Sequence, residues 1–320
     1  MLERRAPKPV NDPLLHHGVT VDMEPAASGG TVAVGVVFLT GRECPWRCVM
    51  CDLWRQTTDA NTPRGAIAAQ VNEARAMLAE HGETPRHLKL YNAGSFFDPR
   101  AVPVEDYGEI AAALDGIEHV IVESHPSLVG GRTEQFAEIL ERRSRTTVEV
   151  AIGLETANPE ALERLHKRMT TSDFVAAAGR LRVMDIALRA FLLISPPFVP
   201  AEEQDEWLVK SLDLALRSGA TAVSLIPTRS GNGALEALAN EGHFRQPHLA
   251  DIERSLALSI GGLREHGSGA RVMADLWDLD RFADCPHCLG ARRQRLEQMN
   301  LQQRSMPLVP CERCGAGTTG

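Results

Sequence analysis

Near-continuous apolar runs recur along this chain: VAVGVVFLT (32–40), HLKLYNA (87–93), HVIVES (119–124), VEVAIGLE (148–155), IALRAFLLIS (186–195) and TAVSLIP (221–227). Between them lie stretches of helical pattern near 65–81, 105–115, 132–143, 159–184 and 202–218. A strand that is apolar on both faces must be covered on both, so this alternation predicts βαβ units and a parallel sheet. Six such repeats, followed by a short seventh run, RVMADLW (271–277), favour a barrel or partial barrel over an open doubly wound sheet. Residues 1–30 are rich in Pro, His and Gly without a period, and read as an N-terminal extension that ends at the Gly29–Gly30 turn. In a parallel barrel the C-terminal ends of the strands form the face that carries chemistry, so the loops after these runs hold the candidate residues.

The first of those loops contains CPWRCVMC, which places Cys44, Cys48 and Cys51 at CxxxCxxC spacing. Three thiolates at this spacing can hold three irons of a [4Fe–4S] cluster and leave the fourth iron without a protein ligand. Clusters with four cysteines mostly carry electrons, whereas an open iron invites chemistry. A structural zinc site would want a fourth ligand nearby. The nearest histidines, His16, His17 and His81, stand at no ligand-like spacing.

With this motif after the first barrel strand, residues 31–280 resemble the radical S-adenosylmethionine (SAM) enzymes. The resemblance implies an α/β fold, a partial TIM-type (βα)6 barrel, whose open iron binds the amino and carboxylate groups of SAM. It also implies an activity. A flavodoxin or ferredoxin type donor reduces the cluster, SAM is cleaved to methionine and a 5′-deoxyadenosyl radical, and the radical takes hydrogen from a substrate.

The later strand ends then acquire expected roles. Tyr91, Asn92, Gly94 and Ser95, in YNAGSFFDP, stand where the family has a glycine-rich segment that receives the SAM amino group. Glycine there lets the backbone approach closely. Glu123 and Ser124 in ESHPS, and Glu155 in GLET, offer acceptors for SAM hydroxyls. A cation after the fourth strand, Arg168 or Lys167, would pair with the SAM carboxylate, and Arg168 is preferred for its bidentate geometry. His125 reads more naturally as a structural histidine, and Thr228 and Arg229 face the barrel mouth by position. These strings are similar to elongator-type and archaeosine-synthase-type radical SAM cores, including the radical SAM subunit of archaeosine synthase, which acts on a modified base in tRNA. A tRNA base is therefore a candidate substrate. A small molecule or peptide is the alternative, and a non-catalytic iron–sulfur and zinc binding protein is the reading from another class.

Composition narrows the setting. At 320 residues and 43% apolar the chain is an ordinary globular size, with no apolar run long enough to span a bilayer and no apolar segment at its start. Seven cysteines in three tight clusters suit metal sites in a reducing compartment, so a cytoplasmic protein with no membrane association is expected. Cys285, Cys288, Cys311 and Cys314 form CxxC–x22–CxxC in a C-terminal module, 281–320, read as zinc-ribbon-like. A structural Zn2+ is expected there, with an auxiliary cluster as the rival. That module carries six arginines against Asp284, Glu297 and Glu312, a net +3 that leaves −11 on the rest. A basic tail on an acidic body points mildly to a polyanionic partner.

Overall fold

The computed structural model describes residues 8–92 and 94–317. The first seven residues of the expected extension, Ala93 of the second apolar run and the last three residues of the C-terminal module lie outside the described residues.

Eight strands form one sheet in chain order: β1 (Gly18–Pro25), β2 (Thr31–Leu39), β3 (His87–Asn92), β4 (His119–Glu123), β5 (Thr147–Glu155), β6 (Ala187–Ile194), β7 (Ala220–Pro227) and β8 (Arg271–Ala274). All neighbours from β2 to β8 pair in parallel, and β1 runs antiparallel to β2 from Gly18↔Phe38 to Pro25↔Thr31. The helices are α1 (Ala66–Glu80), α2 (Tyr107–Ala113), α3 (Gly131–Ser144), α4 (Pro159–Arg164), α5 (Thr171–Val183), α6 (Gln204–Arg217), α7 (Ala234–Asn240), α8 (Leu249–Glu265) and α9 (Pro286–Gln302). The six expected strands are β2 to β7, and the sheet curls into a nearly closed α/β barrel.

Three features depart from the apolar pattern. Residues 18–25, read as part of an aperiodic extension, form a barrel strand. GVTVDMEP alternates apolar and polar positions, Val19 and Val21 facing the helices while Asp22 and Glu24 reach cations inside the barrel. The stretch 159–184 is two helices. Asn158 caps α4, with Pro159 in its first turn, and Thr170 and Asp173 cap α5 reciprocally. Between them His166 and Arg168 adopt left-handed backbone, φ 56° and 54°. Finally, α9 belongs to the barrel as much as to a separate module, because it packs on both ends of the sheet, β1 and β8.

The contact of α9 with β8 is specific. The Asn300 amide accepts from Ala274 N and donates to Ala274 O, 2.8 Å each, and the Gln303 amide does the same with Val272 N and O. Two side-chain amides thus complete the outer edge of β8, satisfying backbone groups that an edge strand would leave open.

Strand alternation sorts the barrel interior into layers. The floor is charged: Arg189 (1% exposed) is bidentate to Glu24 at 2.8 and 3.0 Å and pairs with Glu149, while Lys89 pairs with Glu24 at 2.6 Å. Above it Val34, Ile121, Ala151, Tyr91 and Phe191 form an apolar layer. The C-terminal rim is polar again and holds the candidate site.

Candidate active site

The loop after β2 carries the three cysteines on the C-terminal face. Cys51 N donates to Cys48 O at 3.3 Å, closing the turn, and Val49 N donates to Leu165 O at 3.0 Å, fastening the loop to the segment between α4 and α5. Trp46 stacks on His125, centroids 3.7 Å apart and rings nearly parallel. Burial pushes the thiols of Cys44, Cys48 and Cys51 up to about 12, and the cation closest in effect on Cys48 is Lys167. All seven cysteines are free.

The turn after β3 is anchored by aromatic packing. Phe96 and Phe97 are fully buried against Tyr107 and Phe136. This holds Gly94 where an added Cβ would lie 3.3 Å from Arg42 O and 3.2 Å from the Asn92 amide. Asn92 Oδ1 is buried without a hydrogen-bond partner among the described residues. Ser95 and Ser124 are also buried, but their hydroxyls bond each other at 3.0 Å, and Ser95 Oγ accepts from His125 N at 3.2 Å. They staple β3 to β4. Tyr91 points down into the apolar layer, its ring 6.0 Å from and edge-on to Phe191. Its hydroxyl is pushed above the usual tyrosine value by burial.

Glu123, at the end of β4, has its carboxyl pushed up to about 8. Burial dominates, the Asn92 backbone N–H and Lys167 oppose it, and Glu155 adds to it. Across from it Glu155 ends β5 after a register shift that starts at Gly153, and takes φ 66°. Its carboxylate pairs with Lys167, both residues being buried. Burial would lower the Lys167 ammonium, but Glu155 and then Cys48 hold it above the usual lysine value.

Of the two candidate cations, Lys167 is the one that lies buried beside the cysteine loop. Arg168, preferred on guanidinium geometry, is exposed, because the left-handed residues on either side of Lys167 turn that one side chain inward. His125 is structural: Nδ1 accepts from Ser127 N at 3.2 Å and Nε2 donates to Lys167 O at 3.0 Å, and burial pushes the ring down to about 4, leaving it neutral. Thr228 is buried and donates to Ile194 O at 2.9 Å. Arg229 pairs with Asp275 at 2.7 Å and lies against the exposed Trp277 ring. Sequence reasoning missed Trp46, Gly153, Asn232 and Trp277. Only Trp46 carried a signal, by lying inside the cysteine motif.

The C-terminal cysteines form a group that could hold a metal ion. Cys285, Cys288, Cys311 and Cys314 bring their sulfurs within 4.8 Å of one another, with Cys288 and Cys314 Sγ 3.8 Å apart. Four thiolates about 2.3 Å from a central Zn2+ stand roughly 3.8 Å apart in a tetrahedron. The backbone N–H of Cys314 holds the Cys311 thiol down to about 7. The basic tail around this site is largely spent internally. Arg292 and Arg295 are buried on Glu253 of α8, Arg293 pairs with Asp280, and Arg281 with Asp278. Among the described residues no helix is long and apolar enough to cross a membrane.

No protein-family model matches the chain. It is 26% identical over 282 residues to uncharacterized protein MJ0550 of Methanocaldococcus jannaschii, covering 83% of this chain and 74% of that protein. It is 31% identical over 172 residues to archaeosine synthase subunit beta of Thermococcus kodakarensis. That match covers 51% of this chain and only about half, 52%, of the relative. Among solved structures, the archaeal Methanocaldococcus infernus Elp3 superposes with TM-score 0.54 at 12% identity, over 73% of this chain and 59% of that one. At that identity the likeness is one of fold.

Proposed function

We propose that this chain is a radical SAM enzyme, which reductively cleaves SAM at a [4Fe–4S] cluster held by Cys44, Cys48 and Cys51, in order to abstract hydrogen from a base of tRNA. The observation that carries the reading is the buried Glu155–Lys167 pair beside the three-thiol loop, with Lys167 acting electrostatically on Cys48. Cluster and SAM, once bound and reduced by a flavodoxin or ferredoxin type donor, supply the radical that takes the hydrogen.

The chain's own residues bind and orient. The Lys167 ammonium has donors to spare beyond Glu155 and takes the SAM carboxylate as a point charge. Glu155 accepts from a hydroxyl, and the unpartnered Asn92 Oδ1 accepts from an amino group beside the open backbone of Gly94. Glu123 keeps its proton at neutral pH and serves as a donor. Ser95 and Ser124 fix the two strand ends that carry these groups, and the Trp46–His125 stack covers the loop from water. The Cys285, Cys288, Cys311 and Cys314 set holds Zn2+ in a structural role.

The tRNA substrate rests on the archaeosine synthase relative. Modification of a small molecule or peptide is the second reading, and the internal pairing of the C-terminal arginines favours it. The test is 5′-deoxyadenosine release by anaerobically reconstituted, reduced protein with SAM, with and without unmodified tRNA. Release that rises with tRNA supports the whole proposal. Release indifferent to tRNA moves the substrate to small molecules or peptides, and no release from a cluster-loaded protein overturns the enzyme reading.

A further inference from the structure

Asn232 lies in the loop between β7 and α7, far along the chain from the cysteine motif, and is 3% exposed. Its amide faces two ways. Oδ1 accepts from Ala234 N at 3.0 Å and Leu235 N at 2.9 Å, which caps the start of α7. Nδ2 donates to Val49 O at 2.8 Å and reaches Cys51 O at 3.3 Å. Val49 itself is buried against Ala234, Leu235, Leu238 and Phe244, so α7 and the cysteine loop share a small apolar cluster beneath this bond. Gly231 and Gly233, at φ 114° and 83°, let the chain reverse on either side and drive the side chain inward.

Building on the radical SAM reading, we infer that Asn232 is a positioning residue for the cluster: it fixes the backbone between Cys48 and Cys51 and thereby the placement of two of the three thiolates. A primary amide suits the position because one side chain must donate to carbonyls of the loop and accept from a helix start. Groups that hold metal ligands in place from outside the coordination sphere commonly change metal affinity by about 10- to 100-fold when removed.

The two halves of the amide can be separated. Asn232→Asp keeps the acceptor, since aspartate caps helices as well as asparagine does. It replaces the donor with an oxygen set against two carbonyl oxygens, an unsatisfied contact. A residue that only capped α7 would tolerate this change. The experiment uses the full chain, reconstituted anaerobically, and follows iron release to a chelator through the visible absorbance of the cluster, together with the electron paramagnetic resonance spectrum of the reduced cluster. Asn232→Asp is expected to release iron about tenfold faster than wild type and to shift the spectrum, with circular dichroism unchanged. If that variant does not fold, Asn232→Ser, which keeps an acceptor for the start of α7 but lacks the amide donor, carries the same comparison. Wild-type release and spectrum in the folded variant overturn the positioning role and leave the enzyme reading intact. A wild-type chain that takes up no [4Fe–4S] cluster overturns both.

Discussion

The Lys167 ammonium meets the Glu155 carboxylate directly over the α-carbon of Gly153, in space that a Cβ at position 153 would fill: it would run into both Glu155 Oε1 and Lys167 Nζ. The glycine of GLET is therefore part of the site through what it lacks. Gly153→Ala should push the pair apart and weaken SAM binding by about tenfold, with a stability loss of about 3 kcal/mol for disturbing a buried pair. Calorimetric titration with SAM and urea unfolding check the two effects.

The neighbouring cations give a sharper contrast. Lys167→Met leaves the Glu155 carboxylate buried without its partner, and should cost about 3–5 kcal/mol along with SAM binding. Arg168→Met alters an exposed side chain and should stay within about 0.5 kcal/mol of wild type with SAM affinity unchanged. Loss of affinity in the arginine variant alone would reverse the assignment.

Glu123 makes stability depend on pH. Its carboxyl titrates near 8 in the folded chain, against an ordinary 4.5. Between those values the unfolded chain has released the proton and the folded chain has kept it, so stability falls as pH rises through that window. Glu123→Gln removes the dependence. The variant should match wild type near pH 4.5 and exceed it at pH 8 by about 2 kcal/mol, a figure reduced from the full shift because the carboxyl is not wholly enclosed. Urea midpoints across that pH range are the measurement.

Strands β2 to β7 were legible because both faces of each are covered, which makes the runs apolar throughout. The charged floor was not. Asp22, Glu24, Lys89, Glu149 and Arg189 look like ordinary solvated charges in one dimension, and Glu24 and Arg189 are 165 residues apart. Folding β1 beside β2 turns the last four into one buried network, with Asp22 at its exposed edge. The cysteine loop stood out because its spacing is the pattern from which the proposed cluster is read. Lys167 could not be told from Arg168, since the difference lies in two left-handed residues that no spacing announces. The Thr170–Asp173 capping box was the one local sign that 159–184 breaks there. The pairing of the C-terminal arginines was hidden for a similar reason: Glu253, which absorbs two of them, lies on α8, outside the module.

The floor supplies a further prediction. Arg189→Met leaves Glu24 and Glu149 buried without their common cation, and both carboxyls are held well below the ordinary range by it. A loss of about 3–5 kcal/mol in urea unfolding is expected. Sign matters here as well: carboxyls held low in the folded chain stabilise it above their unfolded value and lose that contribution as pH falls, so wild type should converge on the variant in acid.

The four-cysteine site and the edge of β8 are joined by one helix, and that connection predicts that metal loading contributes to barrel closure. Cys285 sits at the start of α9, with Cys288 in its first turn, and Asn300 and Gln303 lie at its far end. Arg295, midway, donates to Met306 O at 2.7 Å and Pro307 O at 2.7 Å, and so fastens the returning segment that brings Cys311 and Cys314 to the metal. Cys288→Ser should lose Zn2+, measured by elemental analysis, and should speed hydrogen exchange at the Val272 and Ala274 amides, whose partners are the side chains at the end of α9. An Asn300→Ala, Gln303→Ala double variant should speed the same two amides while retaining Zn2+. If the metal is lost and those amides stay protected, the metal holds only its own loop and α9 closes the barrel unaided. If both variants expose them, a small proposed metal site about one helix length away from β8 contributes to sealing the barrel whose C-terminal rim holds the proposed cluster.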